Sequence, residues 1–115
     1  MTEICDLADR ICEPCKGGIP PMTAPEISDY LDVLGDHWVL NAAGHLERTF
    51  TFSNFIEAME FANAVGAEAE NAGHHPDLHV AWGKCGVEIW THKIDGLAEA
   101  DFILAAKTSR IYAPA

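Results

Sequence analysis

The sequence predicts an α+β domain: a four-stranded antiparallel sheet with three helices on one face, in the order α-β-β-α-β-β-α. Three observations predict it. Apolar residues recur at helical spacing in three separate segments. Between those segments lie two pairs of strand-like runs, each pair joined by a short turn containing glycine. Two hairpins separated by a helix cannot form an all-parallel sheet, so one antiparallel sheet covered on one face is the economical solution.

The elements follow in order. Residues 1–22 end in Lys16-Gly17-Gly18-Ile19-Pro20-Pro21, which can continue neither a helix nor a central strand. They read as an N-terminal arm lying on the domain, with a short helical turn from Leu7 to Cys12, and the domain proper spans 23–115. Thr23 and Glu26 form a capping-box pair and Pro25 suits a first turn. Ile27, Tyr30, Leu31 and Leu34 then make one apolar face, and Gly35 stops the helix. His37–Asn41 and His45–Phe52 read as the first hairpin around Asn41-Ala42-Ala43-Gly44. In its second strand Leu46, Arg48, Phe50 and Phe52 share one side, with Arg48 interrupting the apolar run.

Ser53 is placed to cap a helix running to about Ala72. Phe55, Met59, Ala62, Gly66 and Ala69 form its expected core stripe, with Ile56 and Val65 beside it. Gly73 stops it. Leu78–Trp82 and Val87–His92 make a second hairpin around Gly83-Lys84-Cys85-Gly86. The last helix spans roughly Ala98 to Arg110, with Leu97 packing at its entry, Phe102, Ala105 and Ala106 on one side, and Lys107 and Arg110 complementing its C-terminal dipole.

Composition narrows the function. A chain of 115 residues is long enough for one domain with a single core. Eighteen acids against seven bases give a formal net charge of -11, which repels phosphate backbones and argues against direct nucleic-acid binding. No run approaches the roughly 20 apolar residues of a membrane span, and nothing resembles a signal peptide, so a cytoplasmic location is expected. Cys5, Cys12, Cys15 and Cys85 are expected to be thiols there. Cys12-Glu13-Pro14-Cys15 has half-site spacing for zinc, but no second CxxC completes it.

Chemistry concentrates at Gly73-His74-His75-Pro76-Asp77 and, seventeen residues after His75, at His92. Histidine can give and take a proton near neutral pH, so a site with several needs no metal or organic cofactor to move protons. Proline biases the preceding residue toward extended geometry, so the adjacent rings of His74 and His75 point in different directions. The second hairpin brings His92 back toward them, and Glu70, one helical turn before His74, is placed to orient an imidazole. A zinc site of His74, His75 and His92 is the weaker alternative, because adjacent ligands rarely converge on one ion. His37, His45 and His79 read as surface or hydrogen-bonded structural residues.

The run Glu70-Asn71-Ala72-Gly73-His74-His75-Pro76-Asp77, with Val87-Glu88-Ile89-Trp90-Thr91-His92 and Gly96-Leu97-Ala98-Glu99-Ala100-Asp101-Phe102, resembles the pterin-4a-carbinolamine dehydratase family. The resemblance extends to the Trp38 strand and the Phe50–Phe55 junction, and covers roughly residues 23 to 110. It implies the same sheet-and-helices architecture and assembly into homodimers or homotetramers. It implies dehydration of a 4a-hydroxytetrahydropterin to the quinonoid dihydropterin, with no cofactor. His74 and His92 would be the acid/base pair, with His75, the third catalytic histidine, positioning the pterin and sharing the proton work. Glu70, Pro76, Asp77, Trp90 and Thr91 would bind substrate, although core packing is the stronger claim on both Trp90 and Trp38. The implied partner is a tetrahydropterin-dependent aromatic amino acid hydroxylase, served by pterin recycling. Gly73, where many relatives carry an acid, Leu78, where animal forms have an aromatic residue, and Lys93 are departures that bear on pocket charge and pterin preference. Similar folds also serve as dimerisation cofactors and assembly chaperones, so a protein-interaction module is the competing expectation.

Overall fold

The computed structural model describes residues 21–35 and 37–112. Cys5, Cys12, Cys15 and the expected turn from Leu7 to Cys12 lie outside the described residues, with all but the last two residues of the expected arm. The described elements are α1 (Ala24–Leu34), β1 (Val39–Leu40), β2 (Leu46–Thr51), α2 (Phe55–Ala72), β3 (Asp77–Ala81), β4 (Lys84–Ile89), a short 3-10 turn (His92–Ile94) and α3 (Glu99–Tyr112). The fold is the α+β arrangement read from the sequence. The sheet order is β1-β2-β4-β3, every neighbouring pair antiparallel.

Thr23 caps α1 with Glu26 reciprocating, and Gly35 ends it at φ 71°. The cap of α2 is Asn54, not Ser53: Asn54 Oδ1 accepts from Glu57 N–H at 2.9 Å, while Ser53 N–H donates to the Glu57 carboxylate at 3.0 Å. The buried stripe of α2 is also rotated from the expected one. Ala58, Phe61, Ala62, Val65 and Ala69 are buried, whereas Phe55, Ile56 and Met59 are exposed. Both stripes have helical period. Phe61, whose ring packs tilted against Phe50 of β2 and Phe52 just past it, decides between them.

The strands of the first hairpin are shorter than expected, and those of the second are shifted toward the N-terminus. β1 keeps only Val39–Leu40, because His37 takes a positive φ of 75°. The second hairpin turns at Trp82-Gly83, with Gly83 at φ 76°, so Cys85 falls inside β4 and is fully buried rather than in the turn. Burial pushes its thiol pKa up, which makes it an inert core residue. His92 lies beyond β4, in the 3-10 turn, which Thr91 and Gly96 close by backbone hydrogen bonds of 2.9 and 3.4 Å.

The core lies between the sheet and the helices. Leu46, Phe50, Val87 and Ile89 from the strands meet Val65, Phe102 and Leu104 from α2 and α3. Each such side chain, fully removed from water, stabilises by roughly 1.5–3 kcal/mol. Arg48, the polar residue on this side of β2, lays its guanidinium 4.2 Å from the Phe50 ring centroid and donates to Ser109 Oγ at 3.0 Å. Leu97 is buried at the entry to α3, as its position before that helix predicts. The opposite sheet face carries an open concavity lined by polar side chains including Glu47, Thr49, His79, Lys84 and Glu88.

Candidate active site

Three pieces of chain meet where α2 ends, β4 ends and α3 begins. Gly73 ends α2 in the left-handed region at φ 68°, a conformation open to glycine at little cost. Its N–H and that of His74 return to the carbonyls of the last helical turn. The reversal sends His74 inward and His75 outward.

His74 is buried, at 4% exposure, and its Nε2 lies 2.5 Å from Asp101 Oδ1. Asp101 is fully buried in the first turn of α3. Its second oxygen, Oδ2, accepts from the Thr91 hydroxyl at 2.7 Å and from Ala98 N–H at 2.8 Å. A carboxylate that accepts on both oxygens makes the facing ring nitrogen of His74 the donor. That fixes the tautomer and the plane of the ring. The end of α2, the chain just past β4 and the start of α3 are thus joined at one carboxylate.

His75 is exposed and pairs through Nε2 with Glu70 Oε2 at 2.7 Å. Glu70 therefore orients an imidazole, and the imidazole is that of His75. Pro76 carries the chain into β3, where Asp77 is exposed and stands opposite Glu88. Thr91 is buried and spends its hydroxyl on Asp101. Trp90 lies just past β4, with the His92 ring parallel to it at 4.1 Å and the His45 ring parallel at 3.9 Å.

The hollow at this junction has a volume of about 200 Å³ and is lined by Gly73, His74, His75, Trp90, His92 and Lys93. All three expected histidines line it. Glu70 reaches it through His75, and Thr91 through Asp101. Among the described residues, no three His, Cys, Asp or Glu side chains gather as a metal-holding group. The arrangement can present ring nitrogens of differing freedom to one small molecule: a buried, clamped His74, and the exposed His75 and His92. Sequence reading passed over Asp101. An acid at the third position of a helix reads as a partner for the helix dipole. The one hint was its place beside the run Phe102-Ile103-Leu104-Ala105, which α3 buries whole.

Residues 20–111 match the family model described as pterin 4 alpha carbinolamine dehydratase. A protein of Rickettsia bellii (strain OSU 85-389), provisionally named a pterin-4-alpha-carbinolamine dehydratase, is 53% identical over 107 residues, covering 93% of this chain and 95% of its own. A protein of Methylococcus capsulatus with the same provisional name is 51% identical over 114 residues, covering 98% and 99%. Among solved structures, a transcriptional coactivator/pterin dehydratase from Brucella melitensis superposes with a TM-score of 0.76 at 29% identity, over 81% of this chain and 99% of that one. A pterin dehydratase-like protein described as a RuBisCO assembly factor in the alpha-carboxysome shares the fold, with a TM-score of 0.59 at 18% identity over 71% and 96%.

Proposed function

Because the chain belongs to the pterin-4a-carbinolamine dehydratase family, a family of hydro-lyases, we propose that it removes water from a 4a-hydroxytetrahydropterin to give the quinonoid dihydropterin. The observation that carries this reading is the clamped His74 at the wall of a hollow that His75 and His92 also line. In the reaction the C4a–O bond breaks, the hydroxyl leaves as water after taking a proton, and the adjoining ring nitrogen gives up its proton as the C=N bond forms. One general acid and one general base suffice, and imidazole serves as either. His74, its tautomer set by Asp101, and His92 are the acid/base pair. His75, held by Glu70, positions the pterin. Trp90 borders the ring's site, Thr91 acts through Asp101, and Pro76 and Asp77 shape the rim.

On this reading the protein recycles a tetrahydropterin in the cytoplasm, serving an aromatic amino acid hydroxylase that generates the carbinolamine. No helix among the described residues is long and apolar enough to cross a membrane. The test is the rate of quinonoid product formation in His74→Asn and His92→Ala. Asparagine retains an N–H donor for Asp101 and so guards the fold. Each variant is expected to fall by about 10²–10⁴-fold with an unchanged far-UV circular dichroism spectrum. A wild-type rate in both would remove the proposal.

A second reading, an interaction module acting as dimerisation cofactor or assembly chaperone, is supported by the exposed Phe55, Ile56 and Met59 on α2. It is compatible with the first, since these residues lie on the half of α2 away from the histidines.

A further inference from the structure

The geometry points to His45 as a positioning residue that sets the plane of His92 through Trp90, an inference that rests on the dehydratase reading. Leu46 stands opposite Ile89 in the β2–β4 ladder, so one step along each chain brings His45 beside Trp90. The His45 ring lies 3° from parallel with the indole at 3.9 Å, and the His92 ring 10° from parallel at 4.1 Å. Two such rings would collide on one face of an indole, so they take opposite faces. Trp90 is the middle plate of a stack of three. Among the described residues nothing hydrogen-bonds the His92 ring, and His92 itself is exposed. The stack is therefore what orients it.

The far plate is the one that is fastened. His45 Nδ1–H donates to Glu88 Oε2 at 2.7 Å, and Asn41 Nδ2 donates to the same oxygen at 2.8 Å. Asn41 Oδ1 in turn accepts the His45 backbone N–H at 3.0 Å. His45 is held at both its backbone and its ring, whereas His92 is held at its backbone, by the Asp95 N–H, and among the described residues not at its ring. Asn41, His45 and Glu88 lie outside the lining of the active-site hollow, and the His45 ring adjoins it through Trp90, which lines it. Parallel offset rings of this kind are mutually stabilising.

The experiment compares kcat and KM for 4a-hydroxytetrahydropterin, with thermal unfolding alongside, in the full chain carrying His45→Ala or His45→Phe. His45→Ala is expected to lower kcat by about threefold to tenfold with KM little changed. His45→Phe, which keeps a flat plate and loses the bond to Glu88, is expected to recover most of that loss. If His45→Ala does not fold, His45→Asn takes its place, because it can still bond Glu88 but offers no ring. A lowered melting temperature with unchanged kcat would overturn the inference, and so would a phenylalanine variant no better than the ringless one. Should the wild-type protein fail to dehydrate the pterin, the functional reading falls. The stack is then judged by the His92 ring-proton resonances. They should sit upfield in the indole ring current, move toward ordinary values without the His45 ring and return with phenylalanine. Resonances that do not move would overturn it.

Discussion

At Asp101 one carboxylate meets three donors from three parts of the chain: the His74 ring, the Thr91 hydroxyl and the Ala98 amide. Removing it takes an acceptor from all three, two of them on buried residues. Asp101→Ala should therefore cost about 3–5 kcal/mol of unfolding free energy, the scale of breaking a buried charged pair. Asp101→Asn should cost less, about 1–3 kcal/mol, since one amide oxygen still accepts while the NH₂ faces a donor. Urea unfolding measures both. The dehydration rate of the asparagine variant, assayed well below its unfolding midpoint, should fall further than the folded fraction does, because His74 loses the partner that fixes its tautomer. A rate that tracks the folded fraction would confine Asp101 to stability.

Above the single residue, the elements are joined on the open sheet face by a second polar knot. Glu47 and Glu88 are direct cross-strand neighbours in β2 and β4, an unfavourable pairing of like charges. Asn41, in the turn after β1, donates to both carboxylates, at 3.0 and 2.8 Å. Hydrogen bonds first from His45 and then from Asn41 hold the Glu88 carboxyl below the usual carboxylate range. A carboxyl lowered in the folded state stabilises fully above its unfolded pKa, and that contribution is lost as pH falls through the lowered value. Glu88→Gln should thus be slightly less stable than wild type at neutral pH, by under about 1 kcal/mol because the group is partly exposed. The gap should close on acidification through and below the ordinary carboxylate range. Thermal melts across that range read it directly, and a gap independent of pH would deny the charge any part. This knot also shows how far the sequence could be read. Helix starts with local capping chemistry, such as Thr23-Glu26, were legible because both partners lie within one turn. The histidines were legible as a group because the doublet and His92 flank one hairpin. Asp101, His45 and Glu88 were not, because each acts on a residue distant in sequence, and an isolated Asp, His or Glu carries no local trace of its partner. The α2 stripe was misplaced for the same reason: period alone cannot choose between two overlapping apolar faces until Phe61 meets Phe50.

For the whole molecule, the rotation of that stripe leaves apolar surface outside. Phe55, Ile56 and Met59 adjoin on the first turns of α2, with Ile56 at 67% exposure. Solubility argues against leaving such a patch to water, whereas a second copy of the chain would cover it. The net charge of -11 opposes close approach of copies, so apolar burial has to supply the attraction. We expect the protein to sediment as a homodimer or homotetramer at micromolar concentration, with this end of α2 at the contact. Ile56→Glu tests it with little risk to the fold. The side chain is exposed, so no core is disturbed, and an acid in the first turn favours the helix dipole. If the patch is an interface, the variant should shift by sedimentation velocity to a smaller species at the same concentration, with its circular dichroism and melting of the monomer fold retained. An unchanged oligomer would move the contact elsewhere. A wild-type protein that is already monomeric would instead leave the patch for a different protein and favour the interaction-module reading, because the reaction itself gives these residues no part.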